Sequence, residues 1–300
     1  MEIAIIIISS LAFLGLIYIL LGVLMSRKIC YVKPRSVQML YRNEWKENFT
    51  HDKINPPHSM IFIRSRLDYD MSARFFPSEK KSHKYILMLH GYNNCSLTCG
   101  KYALLFNEKG INCLAPDSRR SGGANNKAVT FGYYERSDAE QWIEEIYKMD
   151  PKAEIGLFGI SLGAATAILI ASMRTDIKYL ISYCSFASFK DIILDKGSTI
   201  YPKTIRFFYP AIVAGAFLTT GARLDLIDIA AAMKNVTCPV LIMHSKGDAF
   251  TPYRHAVKLH EANPLSELKS FEKHPHARAY SKDPQLYKKY LDDFLSKSGY

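Results

Sequence analysis

A mostly parallel β-sheet with helices on both faces is the fold class this sequence predicts, and three observations carry it. From about Ser59 onward, short apolar runs alternate with helical segments, the pattern of an α/β sheet. The apolar run 155–160 leads through Gly159-Ile160-Ser161-Leu162-Gly163 straight into 163–171, a run of small and apolar residues suited to a helix packed close against a sheet. Finally, His90, Asp117, Ser161, Ser185, Asp248 and His276 all fall at or just past the carboxyl ends of apolar runs, where ligands of such sheets bind.

The elements follow in order. Residues 3–25 are apolar and uncharged; as a helix they measure about 34 Å, enough to cross a hydrocarbon core with some tilt. A cleaved signal peptide would want a basic start, a shorter apolar core and a small-x-small site. Here Glu2 opens the chain and 24–28 reads Leu-Met-Ser-Arg-Lys, so residues 1–26 are expected to be an uncleaved, single-pass anchor. No lipobox precedes Cys30. Arg27, Lys28, Lys33 and Arg35 follow the anchor against Glu2 before it, and the positive-inside tendency places the following chain on the cytoplasmic side. Residues 27–57, punctuated by Pro34, Pro56 and Pro57, are expected to be a basic connector that can lie along the membrane surface. The globular domain then occupies 58–300.

Within that domain, 60–66 and 71–76 are expected to be antiparallel strands, and 85–89, 111–115, 155–160, 179–184, 240–243 and 268–271 the later ones. Helices are expected over 96–109, 137–148 and 163–171. An insertion at about 186–237 contains the strongly apolar stretch 207–218. It is either a small helical lid over a site or a packed helix pair with no substrate contact.

Charge and composition narrow the function. The net charge is +11, but the lysines and arginines are scattered and no aromatic-interleaved basic patch appears, so nucleic acid is not the expected partner. Membrane proximity accounts for the charge better. The six cysteines (30, 95, 99, 113, 184 and 238) lack paired secretory spacing and several fall in apolar runs, where cysteine behaves as a small hydrophobe.

The chemistry centres on Ser161. A serine hydroxyl becomes a nucleophile when a sharp strand-to-helix turn presents it beside a base; the turn tolerates little beyond hydrogen at Gly159 and Gly163, and the helix after it aims amides at a developing oxyanion. In the chain order Ser, acid, His, the acid candidate is Asp248, in Lys246-Gly247-Asp248 ahead of Thr251-Pro252. Asp225 and Asp228 rival it by order alone, but no strand precedes them. His274 and His276 both follow the last strand, and His276 is preferred because His274 precedes a proline and His276 lies farther along the loop, at the opening of a C-terminal helix. As a His-x-His metal pair the two lack a completing ligand. His255 and His260 are expected on a helix surface.

These motifs resemble those of the α/β-hydrolase-fold serine hydrolases, and more closely the membrane-anchored branch grouped with serine aminopeptidase-like and lysophospholipase-like enzymes. The resemblance spans roughly residues 56–298. It rests on His90-Gly91-Tyr92, Asp117-Ser118-Arg119-Arg120-Ser121-Gly122, Thr130-Phe131-Gly132 with Glu135 and Asp138, the Ser161 turn, Lys246-Gly247-Asp248 and His276-Ala277. Two departures stand out: Ser121-Gly122-Gly123 displaces the usual small residues slightly, and Lys246 stands where glycine is common. The resemblance implies Ser161 as nucleophile, Asp248 as orienting acid, His276 as general base, and the backbone amides of Tyr92 and Leu162 as the oxyanion hole. It implies acyl transfer with no metal or organic cofactor, on a small-molecule or lipid-like acyl substrate. Carboxylesterase, lysophospholipase, thioesterase and peptidase activities all fit, and a non-catalytic binding member of the fold is the contrasting expectation.

Overall fold

The apolar runs pair into one eight-stranded sheet among the residues that the computed structural model describes, 1–122, 127–200 and 204–300. The strands are β1 (Ser59–Arg64), β2 (Asp70–Phe76), β3 (Lys84–Leu89), β4 (Asn112–Pro116), β5 (Glu154–Ile160), β6 (Leu180–Tyr183), β7 (Val240–Ser245) and β8 (Glu267–Phe271), in the order β1-β2-β4-β3-β5-β6-β7-β8. β2 runs antiparallel to both neighbours, and every other pairing is parallel. The central parallel strands are covered on both faces, which is why β4 and β7 are buried at every position and read as continuous apolar runs. Edge strand β1 is instead mostly exposed. This is the α/β-hydrolase arrangement the sequence predicts.

The helices are α1 (Glu2–Cys30), α2 (Val37–Lys46), α3 (His51–Ile54), α4 (Gly100–Asn107), α5 (Glu135–Met149), α6 (Leu162–Ala171), α7 (Phe189–Ile200), α8 (Ile205–Thr220), α9 (Ile229–Met233), α10 (Arg254–Ala262), α11 (Ala279–Lys282) and α12 (Pro284–Lys297). Successive strand residues point to opposite faces, so Leu87 and Leu157 join Trp142 of α5 and Ile168 of α6 in one core. Ile86 and Phe158 join Tyr102 and Phe106 of α4 and Tyr287 and Phe294 of α12 in another. Both faces of the sheet are thus packed.

Three local differences from expectation have physical causes. The helix expected over 96–109 opens as a 3-10 turn, Ser96–Cys99, whose first amide is held by Asp117 Oδ1 at 2.8 Å. The helix expected to open at His276 begins only at Ala279; Ala277 takes a left-handed conformation, φ 57°, which keeps His276 in a loop. The connector carries α2 and α3, and it docks on the domain rather than running free: Leu40, Phe49 and Ile54 pack with Cys95 and Leu97, and a buried Glu44–Lys101 ion pair fastens α2 to α4.

Helices α7 to α9 fill the insertion between β6 and β7; residues 201–203 of it, like Gly123, lie outside the described residues. Helix α8 is held by the long N-terminal helix. Tyr18 of α1 packs on Phe207 and Phe208 of α8 at 5.0 and 5.8 Å between ring centroids. Gly22 lies against Ala211 and Gly215, and Tyr31 Oη donates to the Thr219 carbonyl at 2.7 Å. The contacts advance in the same direction on both chains, so the two helices run parallel. Every residue from Met1 to Ile17 is exposed, and α1 is long and apolar enough to cross a membrane.

Candidate active site

Ser161 sits between β5 and α6 at φ 56°, ψ −113°, a conformation that costs a non-glycine residue about 1–3 kcal/mol. The surroundings enforce it. The Ser161 amide donates to the Tyr183 carbonyl of β6 at 2.8 Å, and its carbonyl accepts from the Ala165 amide at 3.0 Å. The flanking glycines are steric necessities: a Cβ on Gly159 would stand 2.4 Å from Ala164 Cα, and one on Gly163 2.0 Å from the Leu89 carbonyl oxygen. The turn between β5 and α6 is therefore sharp and strained, with room for little beyond hydrogen at Gly159 and Gly163.

Asp248 follows β7 and is buried. Its Oδ1 accepts from the amides of Phe250 and Thr251, both at 2.8 Å. Its Oδ2 accepts from Thr251 Oγ1 at 2.9 Å and lies 2.7 Å from His276 Nδ1, with His244 Nε2 at 3.4 Å. Burial alone would raise the Asp248 carboxyl, but the hydrogen bonds from His244, His276 and the Thr251 amide outweigh it and hold the group well below the usual carboxylate range. A carboxylate so placed makes Nδ1 the protonated nitrogen of His276 and leaves Nε2 as the acceptor.

His276 Nε2 lies 3.9 Å from Cys184 Sγ. Among the described residues Ser161 Oγ forms no hydrogen bond with it; the two side chains instead face one polar cavity of about 300 Å3. Cys184, Asp248 and His276 bring three potential metal donors within 4.8 Å of one another. Their chemistry does not favour an ion: burial pushes the Cys184 thiol well up, away from the thiolate a metal needs, and both Asp248 oxygens already accept hydrogen bonds.

Leu162 is the first residue of α6, and Tyr92 follows Gly91 at the carboxyl end of β3. A Cβ on Gly91 would stand 3.3 Å from the Ile160 carbonyl oxygen and 3.5 Å from Ser161 Cβ, so this loop runs close beside the elbow. His90 braces it: burial lowers the imidazole below its ordinary range, and its Nε2 accepts from the Ser118 amide at 2.9 Å.

Two cavities meet at Ser161, Tyr92 and Phe250. The polar one is lined by Arg35, Asn43, Glu44, Asn93, Lys101 and Arg278. The other, about 520 Å3, is apolar, with Phe131, Phe186, Ile192, Ile205, Phe208 and Ile212 among its walls.

The remaining candidates are placed elsewhere. His274 packs on Phe271 at 6.3 Å, and its amide donates to Ser245 Oγ. Asp225 pairs with Arg223, and Asp228 caps α9 through the Ala231 amide at 2.9 Å. Lys246 pairs with Glu272 at the surface. One expectation is corrected: His255 is buried, not on a helix surface, because its Nδ1 accepts from the Ala187 amide at 3.0 Å and its Nε2 meets Asp195 at 2.8 Å. His260 is half-buried against Ser266 Oγ. Sequence reasoning missed Met25, Lys28 and Ile29 of α1, which line the apolar cavity. The available signal was the small-residue spacing Gly22, Ser26, Cys30 matched by Ala211, Gly215, Thr219, a pattern of closely packed helix pairs.

Comparison with known proteins agrees with this architecture. Residues 80–214 match the serine aminopeptidase, S33 family model. The chain is similar to the uncharacterized protein YqkD of Bacillus subtilis, 27% identical over 287 residues and covering 92% of each chain. Among solved structures, it resembles the Pyrococcus furiosus esterase Pf2001 with a TM-score of 0.66 and 19% identity, over 83% of this chain and 96% of that one. It also resembles the Pyrococcus horikoshii acylaminoacyl peptidase, with a TM-score of 0.61 and 18% identity, over 79% of this chain and 41% of that one.

Proposed function

We propose that this chain, which has the α/β-hydrolase fold and matches the serine aminopeptidase, S33 family model over residues 80–214, is a membrane-anchored serine hydrolase cleaving carboxylic esters of acyl chains through Ser161, His276 and Asp248. The observation that carries the reading is the shared cavity: a strained elbow serine and a histidine oriented by a buried carboxylate line one space. The first proton transfer requires Ser161 Oγ to meet His276 Nε2, and catalytic hydrogen bonds commonly tighten only with substrate bound.

In this mechanism His276 Nε2 takes the Ser161 proton as Oγ attacks the ester carbonyl carbon. The oxyanion that forms accepts hydrogen bonds from the Leu162 and Tyr92 amides, and Asp248 stabilises the imidazolium. Collapse breaks the bond to the alcohol oxygen, which leaves with the proton held on Nε2. Water then enters, gives a proton to His276, attacks the acyl-enzyme and releases the acid as the proton returns to Ser161. No step calls for a metal or an organic cofactor.

The two cavities support a division of the substrate, the acyl chain on the apolar side and the leaving group on the polar side. Peptidase and thioesterase activities would use the same three residues. An aminopeptidase would want a free carboxylate for the substrate's amine, and Glu44, the carboxylate lining the polar cavity among the described residues, is paired with Lys101. Exposure of Met1 to Ile17 supports membrane insertion of α1, and Arg27 and Lys28 in its last turn, with Lys33 and Arg35 just after it, support a cytoplasmic catalytic domain.

The test is fluorophosphonate labelling of the full chain in detergent or nanodiscs. Wild type is expected to label, whereas Ser161→Ala and His276→Ala are not. Labelling that persists in folded Ser161→Ala overturns the assignment. An ester, thioester and peptide panel on the wild type then separates the three activities.

A further inference from the structure

We propose that the membrane anchor is itself a wall of the acyl-binding cavity, so that α1 helps decide which acyl chains reach Ser161. This rests on the serine-hydrolase reading above and adds a specificity element to it.

The first observation is the lining. Met25, Lys28 and Ile29 lie on one face of α1, at spacings of three and four residues, and that face borders the apolar cavity that also holds Ser161. The second is the fastening. Tyr92 Oη donates to the Ile29 carbonyl at 2.7 Å, and the Val129 amide donates to the Cys30 carbonyl at 2.8 Å. The end of α1 is therefore bonded to the residue whose amide is assigned to the oxyanion. A tether serving only to hold the domain at a membrane needs neither bond.

The third observation is the grip on the lid. Gly22, Ser26 and Cys30 are the buried positions of α1, and Gly22 meets Ala211 and Gly215 of α8. A Cβ on Gly22 would stand 2.1 Å from the Ala211 carbonyl oxygen, and one on Gly215 would stand 2.5 Å from Gly22 C and O. Such backbone contact fixes α8 to α1, and with it Phe208 and Ile212, which wall the same cavity.

Geometry then places the cavity against the bilayer. The part of α1 that stands clear of the fold, Met1 to Ile17, is about 25 Å long, somewhat short of the roughly 30 Å hydrocarbon core. Nearly all of it must be immersed, which brings Tyr18 and the first turn of α8 to the bilayer face. Phe207 there is 66% exposed. Met25 lies only about 10 Å farther along the helix. The occupant that fits is a single-chain acyl amphiphile moving from the membrane along α1 into the apolar cavity.

The experiment uses the full chain in nanodiscs and a fluorophosphonate whose long alkyl chain ends in a diazirine. After attachment to Ser161, photolysis is expected to cross-link the chain to the peptide containing residues 25–29. Cross-links confined to α7, α8 or the sheet overturn the proposal while leaving the hydrolase reading intact; failure to attach at Ser161 overturns both. Independently, Met25→Trp and Ile29→Trp are expected to lower the long-to-short acyl ratio of kcat/KM by about tenfold for every two methylenes excluded. Ile7→Trp, on the exposed part of the same helix, should leave the ratio unmoved. A ratio unchanged in both cavity variants would count against α1 as a wall.

Discussion

Among the described residues, two aspartate–histidine pairs whose acid and histidine both follow Ser161, in that order, differ in what the second imidazole nitrogen does. Asp248 and His276 meet at 2.7 Å, and Asp195 and His255 at 2.8 Å. In the second pair the other nitrogen of His255 accepts from the Ala187 amide, so the ring is saturated and clamps α7 to α10. In the first, the partner of His276 Nε2 among the described residues is the weak Cys184 thiol, and the ring borders the cavity shared with Ser161. A carboxylate-bound histidine becomes a base only if its far nitrogen is left open towards the nucleophile.

The sharpest way to break this contrast is to neutralise each acid. Asp248→Asn is expected to lower kcat by about 10^3–10^4-fold with the fold retained, because the wrong imidazole tautomer is then favoured. Asp195→Asn should alter kcat by less than about threefold, since it touches none of the reacting groups. Equal losses in steady-state ester hydrolysis would mean that the second pair is not merely structural.

A smaller effect is expected in stability. His255→Gln removes a buried group with two partners, and a loss of about 1–2 kcal/mol corresponds to a Tm lower by roughly 3–6 °C in a domain of this size. Turnover per folded molecule should not change. A thermal melt indistinguishable from wild type would show that the clamp contributes little.

The smallest expected effect is the pH response. Burial lowers the His255 imidazole despite Asp195, so the unfolded state binds the extra proton. Stability from this group is complete above about pH 6.5 and falls as the pH drops below it. Asp248 is also depressed, because hydrogen bonds overcome its burial; its contribution is complete above about pH 4 and is lost only in stronger acid. Melts of wild type and His255→Gln should therefore converge as the pH falls below 6.5. A constant gap between them would contradict a neutral buried His255.

Much of the fold could be read along the chain because its signals are local. The apolar run, the elbow glycines and the small-residue helix around Ser161 are covalent neighbours, and the structure returns them as β5, the turn and α6. The saturated ring of His255 could not be read that way: its partners, Ala187 and Asp195, lie 68 and 60 residues away, and an amphipathic helix pattern does not announce a buried polar contact. The docking of α2 escaped for a similar reason, since Glu44 looks like an ordinary helix-surface acid until Lys101 is brought beneath it.

By itself the sequence determined the α/β alternation, the strand-turn-helix geometry at Ser161 and a 23-residue apolar stretch, 3–25, at its start. Each follows from neighbouring residues through periodicity, glycine sterics and helix rise. Only the tertiary structure decided that His276 rather than His274 meets Asp248, that His255 is spent on a clamp, and that α1 lies against α8 with Met25 and Ile29 facing the apolar cavity. These depend on which strand ends and helices are brought side by side, and on backbone contacts such as Gly22 on Ala211, made by residues far apart in the chain.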